Sequence, residues 1–201
     1  MCGIFGYIGK KKALPFILKG LSDLEYRGYD SAGVALINEK GLLVEKCQGK
    51  VADLARRVKA NNASVGIGHT RWATHGSPNH VNSHPHLDCR GRIAVVHNGT
   101  IDNFQQLRED LKARGHRFCS ETDTEVLPHL LEETVKDFCF TAEALRRVLK
   151  FVKGSYTMAV LSVDHPDRIL VARHGSPLII GSSEDGYFLS SDIPALLSNT
   201  R

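Results

Sequence analysis

The sequence predicts an α+β fold in which antiparallel sheets are covered by helices. Three observations carry this: strand-like apolar runs gather at both ends of the chain, helical periodicities fill the middle, and the connections are short and punctuated by Gly and Asp. With 201 residues the chain is expected to form one compact domain.

The elements follow in order. Residues 3 to 8 form an apolar strand, and Leu14, Ile17, Leu18, Leu21 and Leu24 then recur at helical spacing. That helix is expected to stop near Arg27-Gly28, where glycine takes the left-handed C-terminal cap. Residues 33 to 37 and 42 to 47 flank Asn38-Glu-Lys-Gly41 as a hairpin, and a helix follows from about 51 to 60. Val65 to Thr70 and Ile93 to His97 read as strands, separated by a long segment holding Trp72, His75, His80, His84, His86, Pro78 and Pro85. A loop that long inside a compact domain is usually functional. Helices are predicted at 103 to 114, 123 to 136 and 141 to 152, the second opened by Thr122-x-x-Glu125 as a capping box. Strands return near 155 to 163, 168 to 173, 178 to 181 and 187 to 190.

Composition removes several classes of function. Lys and Arg total 26 against 22 Asp and Glu, and a net charge of +4 without a basic block gives no footprint for nucleic acid. Hydrophobic residues at 42% and charged residues at 24% exclude disorder. The richest apolar stretch, Met158 to Val163, is far short of a membrane span and contains a serine. The charges Lys10-Lys11-Lys12 follow the first apolar stretch rather than precede it, so no secretory signal is read and the cytoplasm is the expected compartment. Cys2, Cys47, Cys89, Cys119 and Cys139 are odd in number and widely spaced, which argues against a disulfide framework.

Chemistry can be assembled from four places. Cys2 follows the initiator methionine, and removal of Met1 would put a free α-amine on the residue that carries the thiol. A thiol near pKa 8.5 and an α-amine near about 7.7 to 8.0 make a nucleophile and its general base in one residue. Asn98-Gly99 ends an apolar strand, and its side-chain amide beside an unhindered N–H suits a two-donor oxyanion hole, although the pair in isolation reads as a turn. Arg71, in His69-Thr-Arg-Trp-Ala-Thr-His-Gly76, offers a planar fork for a carboxylate or a structural ion pair. The acidic run Glu121 to Glu125 serves either a helix start or an ammonium group.

Taken together, Met1-Cys-Gly-Ile-Phe-Gly6, the Glu25 to Ser31 turn, His69 to Gly76, Asn82-Ser-His-Pro-His86, His97-Asn-Gly99 and Ser120 to Glu125 resemble, in order, the glutaminase domains of class II glutamine amidotransferases. These are N-terminal nucleophile hydrolases. Within that class the hexosamine-forming amidotransferases are the closer likeness, because the purine-pathway enzymes typically have Gln where Tyr29 stands and another sequence in place of Arg71 to Gly76. The resemblance implies a four-layer αββα sandwich, two antiparallel sheets between helix layers, with residues 1–201 forming one glutaminase domain. It implies that Cys2 attacks the carboxamide of L-glutamine to form a thioester, with Asn98 and the Gly99 N–H holding the oxyanion. Arg71 would bind the α-carboxylate and Asp123 the α-ammonium; Trp72, Thr74 and His75 would shape the substrate loop, and Arg27 would stand near the nucleophile. No cofactor is implied. The family's partners are C-terminal sugar isomerase domains, which use the ammonia to convert fructose 6-phosphate to glucosamine 6-phosphate; a homodimer is compatible with it, whereas nucleic acid and membrane are not expected. The chain ends at Thr200-Arg201, where the glutaminase domain would hand over to a linker, so it is expected to hydrolyse glutamine without making an amino sugar.

Two other readings compete. His80, His84, His86 and Cys89 crowd ten residues and suggest zinc, but they lack a C-x-x-C or H-E-x-x-H spacing, so no metal is expected. A retained Met1 would acylate the amine and leave a catalytically silent glutamine-binding module.

Overall fold

The computed structural model describes residues 1–59, 61–73, 76–137 and 139–200. Ten strands and five α-helices are found among them, and the strands make two sheets paired antiparallel throughout. The first sheet has the order β3-β2-β4-β1-β10-β9, with β1 Gly3–Gly9, β2 Ser31–Asn38, β3 Gly41–Gln48, β4 Val65–Arg71, β9 Ile179–Ser183 and β10 Gly186–Ser190. The second has the order β5-β6-β7-β8, with β5 His86–Leu87, β6 Ile93–Ile101, β7 Gly154–Ser162 and β8 Leu170–His174.

Alternation along the strands sorts the apolar residues into three layers. Phe5 and Tyr7 of β1 and Ala32, Val34 and Leu36 of β2 pack with Ile17, Leu21 and Leu54 from helices α1 (Ala13–Asp23) and α2 (Val51–Arg57). The opposite parity, Ile4, Ala35, Ile37, Val65 and Ile67, meets Ala94, Val96, Ala159 and Leu161 of the second sheet. Ile93, Val95, Met158 and Val160 point the other way, against Leu107, Leu111, Leu131 and Leu145 from α3 (Phe104–Ala113), α4 (Val126–Asp137) and α5 (Ala142–Leu149). The layers are therefore helix, sheet, sheet, helix, and the expected αββα sandwich with two antiparallel sheets is what the chain forms.

Several boundaries differ from the sequence expectation. Helix α1 ends at Asp23 and a single 3-10 turn, Glu25–Arg27, follows it. Gly28 is extended there, with φ −176°, so it is no left-handed cap. Helix α2 stops at Arg57, and Ala60 lies outside the described residues. Helix α4 starts at Val126, and the Thr122 N–H donates to Ser120 Oγ at 3.3 Å rather than to Glu125 as a capping box requires. The Glu125 carboxylate instead accepts from the Cys119 N–H (2.7 Å), the Ser120 N–H (2.7 Å) and the Ser120 hydroxyl (2.7 Å), turning back on the loop before the helix. Strand β5, two residues long, carried no periodicity signal. Among the described residues no helix is long and apolar enough to cross a membrane.

Candidate active site

The same alternation that builds the inter-sheet core builds the site at one end of it. Val65 and Ile67 face the second sheet, so His69 and Arg71 of β4 continue their row; Ala94 and Val96 place Asn98 of β6 on the facing row; Ile4 places Cys2 beside them. Apolar side chains give way to polar ones along three strands at once, which turns the edge of a core into a cleft. Cys2, Arg71, Trp72, Gly99 and Asp123 line it, with His84 and His97 in its wall, and its volume of about 20 Å³ holds roughly one water molecule.

Cys2 is held from several sides. The Trp72 N–H donates to its Sγ at 3.3 Å, and the thiol reaches the Trp72 carbonyl at 3.6 Å. Its carbonyl oxygen accepts from Arg27 Nε at 3.1 Å and from Asn98 Nδ2 at 3.0 Å. Arg27 is anchored in turn by Asp192, Nη1 to Oδ2 at 2.7 Å. Burial pushes the Cys2 thiol above its ordinary pKa, opposed by the hydrogen bond from Trp72. A thiol in that state stays protonated at neutral pH and needs a base beside it. The Cys2 nitrogen is an amide to Met1 in this chain, and Met1 is 79% exposed.

Gly28 explains how the turn after α1 comes so close. A Cβ there would stand 2.6 Å from the Arg71 carbonyl carbon and 2.9 Å from the Trp72 nitrogen, so only glycine admits the β4 exit that presents Trp72 to Cys2. Asp30, from the same turn, accepts from the Ala73 N–H and fixes the next residue of that exit.

Behind the cleft lies a frame of buried histidines. His69 Nε2 is 3.0 Å from the carbonyl oxygen of His97, which only accepts, so the proton sits on Nε2. The same N–H faces Asn98 Oδ1 at 3.0 Å, and this leaves the Asn98 amide nitrogen pointing at Cys2. His97 Nε2 donates to the Ser155 carbonyl at 3.4 Å, and its Nδ1 accepts from the Thr124 hydroxyl at 2.8 Å. His84 stacks on His69 with centroids 4.1 Å apart and accepts from the His97 N–H at 3.2 Å. His86 meets the Thr122 hydroxyl at 3.0 Å. Burial lowers the pKa of all four, that of His69 to about 3, so the frame is neutral.

The expected substrate residues are brought to the same end. Arg71, 4% exposed, donates Nη2 to the Gly76 carbonyl at 3.2 Å and Nη1 to the Ser77 carbonyl at 3.4 Å. Asp123 accepts from the Ile101 N–H at 2.8 Å, which ties the start of α4 to β6. Trp72 sits at the mouth, 47% exposed, edge-on to Tyr29 at 5.6 Å. Gly99 has φ +131°, and a Cβ there would be 2.1 Å from the Ser155 carbonyl oxygen. Thr74 and His75 lie outside the described residues. Sequence reasoning missed His69, His97 and Asp192. His69 was legible at the strand parity of Arg71, whereas His97 has the opposite parity to Asn98 and Asp192 had no local signal.

The zinc reading of His80, His84, His86 and Cys89 dissolves, because His84 and His86 belong to this frame and His80 is exposed. Cys89 is found beside His116, His129 and Glu132 instead.

Comparison with known proteins gives one consistent result. The family described as "Glutamine amidotransferase domain" matches residues 69–198. The chain is 50% identical over 203 residues to a protein of Clostridium tetani named glutamine–fructose-6-phosphate aminotransferase [isomerizing], covering 100% of this chain and 33% of the relative. Proteins of the same name from Pyrococcus horikoshii and Thermus thermophilus are 51% and 53% identical, with 100% of this chain and 34% and 33% of theirs covered. The chain thus spans about one third of the length of the curated relatives it matches. Among solved structures, the glutamine phosphoribosylpyrophosphate amidotransferase of B. subtilis superposes with a TM-score of 0.82 at 29% identity, over 97% of this chain and 43% of that one.

Proposed function

Because the chain belongs to the glutamine amidotransferase domain family, we propose that residues 1–201 form a glutaminase domain that hydrolyses L-glutamine through Cys2. The observation that carries this reading is the convergence of Cys2, Arg71 and Asp123 on one cleft, with the Asn98 amide donating to the Cys2 carbonyl beside it.

Removal of the exposed Met1 frees the Cys2 α-amine. The amine takes the thiol proton, and the thiolate sulfur attacks the side-chain carbonyl carbon of glutamine. The oxyanion that forms is held by Asn98 Nδ2 and the Gly99 N–H; Asn98 already donates in that direction, to the Cys2 carbonyl, and His69 fixes the sense of its amide. Return of the proton to the departing nitrogen breaks the C–N bond, releases ammonia and leaves a γ-glutamyl thioester. Water, deprotonated by the same amine, then breaks the C–S bond to give glutamate and the free thiol. Arg71 pairs with the α-carboxylate of the substrate and Asp123 with its α-ammonium, while Trp72 stands at the mouth of the cleft; the family resemblance assigns Thr74 and His75 to the same substrate loop. Arg27 holds the Cys2 carbonyl and so positions the nucleophile.

In the longer protein that the relatives represent, the ammonia would pass to sugar isomerase domains and convert fructose 6-phosphate to glucosamine 6-phosphate. Identity near 50% to proteins of that name, against 29% to the purine enzyme, favours this acceptor over phosphoribosylpyrophosphate. The reading places the reaction in the cytoplasm, where a thiol nucleophile stays reduced.

Intact mass before and after incubation with an electrophilic glutamine analogue tests it. A mass without methionine that gains one analogue, lost in Cys2→Ala, is the expected result. A mass without methionine that gains no label overturns the mechanism, and a retained Met1 with no label makes the chain a silent glutamine-binding form.

A further inference from the structure

Between the β5–β6 turn and helix α4, four side chains from three segments converge. Cys89 lies in the turn between β5 and β6, His116 in the connection from α3 to α4, and His129 and Glu132 one turn apart on α4. Their donor atoms lie within 4.8 Å of one another. Cys89 Sγ is 3.5 Å from His116 Nδ1 and 3.5 Å from His129 Nδ1, the two Nδ1 atoms are 3.2 Å apart, and Glu132 Oε2 is 3.2 Å from His116 Nδ1 and 3.7 Å from His129 Nδ1. We propose that Cys89, His116, His129 and Glu132 form a four-coordinate site for a divalent transition metal, with zinc as the ion the donor set favours.

The first argument is metric. A tetrahedral zinc with bonds of about 2.0 to 2.3 Å to nitrogen, oxygen and sulfur sets its ligands roughly 3.3 to 3.6 Å apart. The separations found here straddle that range.

The second concerns protons. His116 Nε2 contacts Glu133 Oε1 at 2.8 Å, so a neutral His116 carries its proton on Nε2 and turns a bare Nδ1 lone pair toward the cluster. This is also the carboxylate partner that orients a ligating imidazole in metal sites. The Cys89 N–H donates to Glu132 Oε2 at 3.1 Å, and the Arg117 N–H to Cys89 Sγ at 3.4 Å; both bonds hold acceptor atoms in place. Four lone-pair atoms therefore face one point with few protons to share, in surroundings where His116, His129 and Glu132 are buried. A dication supplies what they lack.

The third is charge. Zinc with one thiolate, one carboxylate and two neutral imidazoles sums to zero, which suits a buried centre, and binding releases the Cys89 thiol proton to solvent. Cys89 is exposed, so the ion has a way in. The site would pin the β5–β6 turn to α4, joining the strand that carries His86 to the helix whose approach carries Asp123.

Metal content of the untagged protein, grown with zinc and purified without chelator, gives the primary test, followed by cobalt titration of the stripped protein under reducing conditions. One equivalent of zinc is expected, with cobalt giving tetrahedral d–d bands and a thiolate charge-transfer band. Cys89→Ser, at an exposed position, should lose the charge-transfer band and weaken binding by about tenfold or more, whereas Cys139→Ser should change neither. Stripping should lower Tm by roughly 5 °C or more and zinc should restore it. Folded protein without stoichiometric metal and without the cobalt spectrum overturns the proposal, as does metal whose spectrum survives Cys89→Ser.

Discussion

Two sets of buried histidines, one behind Cys2 and one beside Cys89, differ in where their nitrogens point. Behind Cys2, His69 and His97 each send an N–H to a backbone carbonyl, and the remaining lone pairs of His97 and His84 accept from a hydroxyl and an N–H. Beside Cys89, the Nδ1 atoms of His116 and His129 face each other and a sulfur. The first arrangement pairs donors with acceptors and gives a neutral frame that aims the Asn98 amide. The second gathers acceptors and gives a cation site. Burial and residue type are alike in the two, so the difference lies in the atoms that the ring nitrogens face.

If this division holds, damage at one end should spare the other. Cys2→Ala should lower glutamine hydrolysis by about 10⁴-fold or more while leaving bound zinc at its wild-type level, measured by ammonia release and metal analysis on one preparation. Asn98→Ala should cost about 10² to 10³ in kcat, again without loss of metal; a loss confined to KM would remove Asn98 from the oxyanion site. Arg71→Ala should raise KM for glutamine by about 10- to 100-fold with kcat nearly constant, because it removes a charge-assisted contact made in ground and transition states alike.

The smallest effect is on stability. His69 titrates near 6.5 when unfolded and about 3 when folded, so the unfolded chain binds more protons between those values. The stability that depends on its neutrality is complete above about pH 6.5 and is lost as pH falls toward 3, at up to about 1.4 kcal/mol per pH unit for each histidine so buried. Urea unfolding should show a lower midpoint at pH 5 than at pH 7. A midpoint that does not fall would mean the frame is already protonated, which its donor pattern forbids.

The strands, the layer order and the residues near Cys2 were legible because they rest on period-two alternation and on short ordered motifs. Ile4, Ile67 and Val96 mark the inner face, and Cys2, Arg71 and Asn98 extend the same rows. What could not be read was set by distance along the chain. Cys89 was considered with His84 and His86, its neighbours in sequence, whereas its partners are 27 and 40 residues away. The Glu125 carboxylate fits a capping pattern with Thr122, yet the backbone of Cys119 and Ser120 lies within its reach and takes it. Gly28 was read as a torsional device because glycine after a helix so often is one; the need it meets, the passage of the Arg71 backbone, belongs to a strand 43 residues later.

That glycine carries a consequence for sequence drift. At Gly91, φ is +64° and a Cβ would meet nothing within 4 Å, so the position restricts backbone torsion alone and tolerates Asn or Asp. Gly28 restricts volume, and a Cβ there runs into the Arg71 and Trp72 backbone. In a saturation library scored for glutamine turnover, Gly91 should yield a short list of survivors and Gly28 none. A blank column in such a map would then mark the place where two chain segments touch, recoverable from counts of living clones before any coordinates are consulted.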